Sequence, residues 1–151
     1  MTASASKNGQ PAPSIAFTWN VRVYYEDTDA GGVVFYANYL KFFERARTEW
    51  LRSAGISQHL LSNTHHTMFV VKSTAVDYHA PAKLDDELKL TVVVERLGRA
   101  SVQFQQEAWR IDGAERELLA SGRIKVGCVD TSSFRPCAIP SEVLSRIKDF
   151  C

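Results

Sequence analysis

Asp27, Asp29 and the pair Gly31-Gly32 lie in one short stretch, Glu26-Asp27-Thr28-Asp29-Ala30-Gly31-Gly32, shortly upstream of a run with helical spacing. A carboxylate beside a helix N-terminus meets backbone N–H groups that have no partner within the helix, and the positive end of the helix dipole. Such a terminus suits an oxyanion. In an acyl-transfer enzyme one N–H there polarises a thioester or ester carbonyl, while a carboxylate a few residues earlier attacks the carbonyl or activates water. Asp27 and Asp29 are the candidates. The same residues also fit a turn in which each Asp only satisfies local donors, and pattern alone favours that plainer reading.

Periodicity gives the elements that must hold this loop. Thr18 to Tyr25 alternates, with Trp19, Val21, Val23 and Tyr25 on one side, and reads as a strand. After the loop, Tyr39, Phe42, Phe43, Ala46, Trp50, Leu51 and Ala54 recur at three- and four-residue spacing, an amphipathic helix of about four turns. Asn38 is the expected N-cap and Gly55 the left-handed residue that ends the helix. A short helical turn is expected within Ile56 to Asn63. Four alternating runs follow, around Val70–His79, Leu88–Glu95, Val102–Trp109 and Leu118–Cys128. Leu97-Gly98-Arg99 and Asp112-Gly113 are hairpin-sized turns, so an antiparallel meander is expected. Pro140 and Ser141 open a terminal helix through Val143, Leu144 and Ile147. One long helix on one five-stranded sheet is an α+β layer architecture. A single helix covers one face of that sheet, so self-association is expected.

Composition removes other classes. The 151 residues are 45% hydrophobic and 23% charged, the make-up of one folded domain. Lys and Arg number 18 against 17 acids, a net charge of +1, which argues against a nucleic-acid partner. The apolar run Met68 to Val71 stops at Lys72, far short of the roughly 20 residues of a membrane span. Residues 1–14 are small, polar and Pro-containing, and are read as a flexible tail before a single domain over 15–151. Cys128, Cys137 and Cys151 share no metal-ligand spacing, which fits a reduced, cytoplasmic compartment and no zinc. The chemistry sketched above needs no cofactor, and the absence of a GxSxG motif argues against an α/β serine hydrolase.

Tyr24 to Arg52 reads YYEDTDAGGVVFYANYLKFFERARTEWLR. With its DTDAGGVV loop, A-N-Y at the helix start and FERARTEWLR helix in that order, it resembles the 4-hydroxybenzoyl-CoA thioesterase-like hotdog family, most closely the Tol-Pal-associated acyl-CoA thioesterases. A weaker resemblance continues through Val76-Asp77-Tyr78 and Gly98-Arg99-Ala100-Ser101. The resemblance implies a hotdog fold, a five-stranded antiparallel sheet wrapped around one long helix. It also implies dimers that join two sheets and often pair into a homotetramer. It implies an acyl-CoA substrate. By position it puts the catalytic carboxylate on Asp29, with Asp27 supporting the loop, and the backbone oxyanion donor on Tyr36. Many Tol-Pal-associated members carry His there, whereas Tyr resembles the 4-hydroxybenzoyl-CoA enzyme, and the exchange bears on acyl preference.

The same resemblance implies that Gly31, Gly32 and Val33 let the thioester approach the backbone, and that Asn38 and Tyr39 border the pocket mouth. An aromatic on the apolar face of a helix is also an ordinary core residue. For the phosphates of coenzyme A it suggests the hairpin around Arg96, Arg99 and Ser101, with Lys72 and Lys83; a solvated turn is the bland alternative. Some hotdog thioesterases carry their carboxylate on the helix, but Glu44 is read as a structural ion pair with Arg47 or Lys41. The expected activity is acyl-CoA hydrolysis. Its first rival is a non-catalytic adaptor of the cell envelope or phospholipid synthesis that binds acyl thioesters or acyl carrier protein. The second, a hotdog hydratase, is disfavoured by the absence of His from the D-T-D loop.

Overall fold

The computed structural model describes residues 16–150; the tail expected over residues 1–14, and Cys151, lie outside the described residues. The elements in chain order are β1 (Phe17–Arg22), a 3-10 turn (Tyr25–Asp27), α1 (Asn38–Ser53), α2 (Gln58–His65), β2 (Thr67–Tyr78), β3 (Glu87–Leu97), β4 (Ser101–Asp112), β5 (Glu115–Asp130) and α3 (Ser141–Asp149). The five strands form one antiparallel sheet with α1 packed on one face, the expected hotdog arrangement.

All seven apolar positions of the α1 stripe are buried, from Tyr39 to Ala54. Trp50 meets Phe104 of β4 edge-on at 5.4 Å. Phe43 packs where Gly122 has no side chain, because a Cβ there would stand 3.3 Å from the ring. The residues that β4 turns inward, Val102, Phe104, Gln106 and Ala108, complete this core.

Three expectations change. The sheet is not a meander throughout: β3, β4 and β5 run consecutively, but β2 pairs with β5 at the far edge and β1 with β3, giving the order β1-β3-β4-β5-β2. The link between β2 and β3 therefore crosses the ends of β5 and β4, a distance of about 14 Å at strand spacing, which eight extended residues span. Pro81 lies in that link and starts no ladder. The first strand stops at Arg22 rather than Tyr25, because its partner β3 begins at Glu87, opposite Arg22, and the chain turns at Tyr25. Asn38 is the first residue of α1 and not its cap; Ala37 holds that place without a side-chain cap, and the Asn38 amide is used elsewhere.

Candidate active site

The loop leaving β1 folds back on itself before α1. Asp27 is buried and is fully used by the scaffold: Oδ2 accepts the Tyr24 N–H at 2.9 Å, Oδ1 accepts the Asn38 side-chain amide at 2.9 Å, and its carbonyl accepts the Phe35 N–H at 3.1 Å. It thereby ties the loop to the first residue of the helix. Asp29, two residues on, is exposed. Its Oδ1 accepts the Gly31 N–H at 2.8 Å, while its backbone N–H donates to Val33 and its carbonyl accepts from Gly32. Oδ2 has no hydrogen bond among the described residues. A Cβ on Gly31 would press to 3.2 Å from Asp29 Oδ1, and Gly32 sits at φ +81°, so both glycines serve the tight turn that presents this carboxylate.

The start of α1 follows directly on this loop and is tied to it through Asp27. Its cap residue contributes no side-chain hydrogen bond and its first turn holds no acid. Asn38 donates to Phe35 and Leu40 to Ala37, whereas the Tyr36 N–H meets no acceptor among the described residues. The Tyr36 carbonyl is fixed from the other side by the Tyr78 hydroxyl at 3.0 Å. The Tyr36 and Tyr78 rings stand edge-on at 6.2 Å, and Tyr78 continues to Tyr39 at 5.4 Å. Burial raises the pKa of Tyr78, and the neighbouring Tyr36 adds to the shift. An exposed carboxylate and an unused N–H at an uncapped helix terminus make the arrangement that acyl transfer requires.

The structure therefore gathers Asp29, Gly31, Gly32 and Val33 in one turn, brings Lys83 alongside through a β-bridge to Val33, and places Tyr36 where the same loop enters α1. Asn38 and Tyr39 also lie here, but beneath the surface. Asn38 is spent on Asp27, and the Tyr39 hydroxyl accepts the Ala82 N–H at 3.2 Å, with burial raising its pKa. Lys72, Arg96, Arg99 and Ser101 are not brought to this loop. Tyr78 is opposite Ala120 and Ser101 opposite Gly127, so the hairpin lies about 23 Å away along β5. Lys72 lies along Gly127 at the same far end.

Glu44 departs from its expected ion pair. It accepts the Thr48 hydroxyl, and Arg47 turns inward to donate to Gln106 Oε1 at 2.9 Å. Gln106 is fully buried and donates in turn to the carbonyls of Phe43 and Thr91. Sequence reasoning missed this pair and the role of Tyr78. One signal was present: Gln106 interrupts the apolar phase of β4 between Phe104 and Ala108. The two remaining thiols lie 3.7 Å apart, and burial pushes that of Cys128 up to about 12.

Residues 31–117 match the model of the thioesterase superfamily, 4HBT. The acyl-CoA thioesterase YbgC of Haemophilus influenzae is 46% identical over 127 residues, covering 84% of this chain and 90% of that protein. The acyl-CoA thioester hydrolase YbgC of Escherichia coli is 45% identical over 132 residues, covering 87% and 96%. Among solved structures, a 1,4-dihydroxy-2-naphthoyl-CoA thioesterase from Synechocystis superposes with a TM-score of 0.80 at 23% identity, covering 89% of this chain and 96% of that one. A Staphylococcus aureus protein solved in complex with CoA superposes with a TM-score of 0.81 at 17% identity, covering 93% and 87%. These two likenesses concern the fold.

Proposed function

We propose, from the premise that this chain belongs to the thioesterase superfamily, that it is an acyl-CoA thioesterase, hydrolysing an acyl-CoA to the free acid and CoA. The observation that carries the reading is the exposed Asp29 carboxylate, oriented by the Gly31 N–H, in the loop that leads into the uncapped start of α1, where the Tyr36 N–H has no acceptor among the described residues. The thioester carbonyl oxygen takes the Tyr36 N–H, and the dipole of α1 favours the negative charge that develops there. Asp29 either attacks the carbonyl carbon through Oδ2 or takes the proton from a water that does. Collapse of the tetrahedral species breaks the C–S bond and releases CoA as the thiolate; on the first route water then cleaves the acyl–Asp29 anhydride to the free acid and regenerates the carboxylate, and on either route the proton taken from water passes to the thiolate. Asp27 and Asn38 are positioning residues that fix the loop against the helix.

The enzyme works as a dimer that joins sheets and pairs into a tetramer. In support, β2 is a long edge strand whose inner face leaves Val71 and Tyr78 half-exposed, and a free edge of that length calls for cover. Lys72, Arg96, Arg99 and Ser101 then serve coenzyme A phosphates from a neighbouring copy, with Lys83 contributing in cis. Acyl carrier protein is a second acyl donor, and the compartment is the cytoplasm. Among the described residues no helix is long and apolar enough to cross a membrane.

The test is thiol release from acyl-CoAs running from acetyl to palmitoyl and including benzoyl and 4-hydroxybenzoyl, with Asp29→Asn beside the wild type. Turnover is expected to fall by about a hundredfold or more in Asp29→Asn with thermal stability retained. Near-normal turnover in the variant would remove Asp29 from the mechanism. A folded wild type that binds acyl thioesters without cleaving them would make the protein an adaptor.

A further inference from the structure

Two thiols that the loop chemistry does not use meet at the far end of the sheet. Cys128, near the end of β5, and Cys137, in the return segment before α3, are both free, and their sulfurs stand 3.7 Å apart. The backbone puts them there. Val129 and Pro136 form an antiparallel bridge, so Cys128 and Cys137 are the next opposed pair, and the Cys137 N–H donates to the Cys128 carbonyl at 3.0 Å. Opposed residues of this kind have Cα atoms about 5.5 Å apart, within the span that a disulfide bridges. The turn between them is fixed independently. Asp130 Oδ1 accepts the N–H groups of Ser132 and Ser133 at 2.9 Å, and these bonds hold its carboxyl below the usual carboxylate range. The Asp130 N–H donates to the Arg135 carbonyl at 2.9 Å, and its own carbonyl accepts the Phe134 N–H at 2.8 Å. Bringing the two sulfurs to bonding distance therefore takes a movement of about 0.8 Å by each, within reach of side-chain rotation on a backbone already in place.

The two thiols differ in access. Cys128 keeps 1% of its surface exposed, whereas Cys137 is half-buried. Burial and the neighbouring sulfur push the Cys128 thiol up to about 12, and the Ala138 carbonyl lies 3.8 Å from it as a second acceptor. Cys128 is thereby the protonated partner of the pair, and Cys137 the one that meets solutes. The N–H and carbonyl of Cys128 both point away from β2, to Ala100 and Cys137, so Cys137 lies across β5 from the edge strand that a second copy covers.

We infer that Cys128 and Cys137 are a reversible redox site, a dithiol that closes to a disulfide when Cys137 meets a peroxide. Cys137, as the thiolate, attacks one peroxide oxygen; the O–O bond breaks, the departing hydroxide takes a proton from solvent, and the sulfur is oxidised to a sulfenic acid. The Cys128 sulfur then attacks that sulfur, the S–O bond breaks, and the Cys128 proton leaves with the hydroxide as water. The two sulfurs together give up two electrons, and one hydrogen peroxide is reduced to two waters. A thiol reductant reopens the pair, the behaviour of a sensing disulfide in a reduced compartment. The closed form staples β5 to the segment carrying Ile139, whose N–H holds the Arg99 carbonyl, while the Cys128 N–H holds that of Ala100. The turn between β3 and β4 is thus fixed from both ends of the bond. The inference stands apart from the thioesterase reading, since it needs no acyl-CoA.

The experiment treats the folded wild type and Cys151→Ser with hydrogen peroxide and follows intact mass, peptide mapping and thermal unfolding. Both proteins should lose two hydrogens per chain and yield one cross-linked pair of peptides, joining Cys128 to Cys137. The unfolding midpoint should rise by about 5 °C and return with dithiothreitol. Cys137→Ser should keep its Cys128 thiol unmodified, and Cys128→Ala should stop at a sulfenic acid on Cys137 that a cyclic 1,3-diketone traps. The inference is overturned if folded Cys151→Ser keeps both thiols, if Cys137 goes on to the sulfinic acid without a cross-link, or if the cross-link of the wild type joins Cys151 instead. Should Cys128→Ala fail to fold, Cys151→Ser and Cys137→Ser still decide the matter.

Discussion

The two ends of α1 are finished in opposite ways. At its C-terminal end every device for closing a helix is used. Gly55 takes the left-handed conformation at φ +80°, its N–H and that of Ile56 return to the carbonyls of Arg52 and Leu51, and Arg146 of α3 donates to the carbonyls of Ala54 and Gly55. At the N-terminal end Ala37 has no capping side chain, the first turn has no acid, and the Tyr36 N–H has no acceptor among the described residues. A side-chain cap contributes about 1 kcal/mol, and a terminus left without one is open to an acceptor from a ligand, as the proposed oxyanion site requires.

The sharpest way to break this contrast is to remove the open donor without changing much else. Tyr36→Pro deletes the N–H while sacrificing no hydrogen bond among the described residues, where that group has no acceptor. The expected loss is about a hundredfold in kcat, the scale seen when one oxyanion donor is withdrawn. Tyr36→Phe keeps the N–H and also the carbonyl that Tyr78 holds, so its kcat should stay within a few-fold of wild type. Equal kcat for the Pro and Phe variants would show that the open terminus is not the oxyanion site.

Closing errors at the other end should act on stability alone. Gly55→Ala forces a side chain into left-handed backbone and into the guanidinium of Arg146, which must then leave its two carbonyls. The variant is expected to lose about 1–2 kcal/mol in denaturant unfolding, with kcat unchanged. A matching fall in kcat at temperatures where the variant is folded would mean that the two ends are coupled through the helix, and the contrast between them would lose its meaning.

The closed end was far more legible in the sequence than the open one. A left-handed Gly after a helical stripe, and the stripe itself from Tyr39 to Ala54, are local patterns with a fixed period. Strand order is not local: nothing in the alternation of β2 says that it skips β3 and pairs with β5. Bulges also shift the phase. The register slips between Val71 and Ser73 in β2, and Leu119 is inserted opposite the step from Ala108 to Trp109, so residues on either side of each slip cannot be assigned a face by counting. In the loop, Asp27 and Asp29 are chemically identical in one dimension, and only the fold buries the first against Asn38 and leaves the second exposed. The resemblance implies their division of roles, and the fold adds only that Asp27 is spent on the loop while Asp29 is exposed. Arg47 and Gln106 were hidden for the opposite reason: each is polar in a stretch whose neighbours set the pattern, and only their meeting across the core explains both.

The smallest test uses charge instead of geometry. Lys41 is exposed on α1 just after the first turn, near enough to the open terminus for its charge to act on an anion bound there. Lys41→Glu places a carboxylate where the helix dipole welcomes it, so the folded state should gain about 0.3–1 kcal/mol. The same charge repels the oxyanion at the Tyr36 N–H, so kcat should fall by a few-fold, and both effects should shrink together as salt shortens the reach of exposed charges. Stability and turnover thus move in opposite directions from one substitution. That opposition is what distinguishes a terminus kept open for a substrate from one that merely lacks a cap. If the terminus were only uncapped, the extra carboxylate would stabilise the helix and leave kcat where it was.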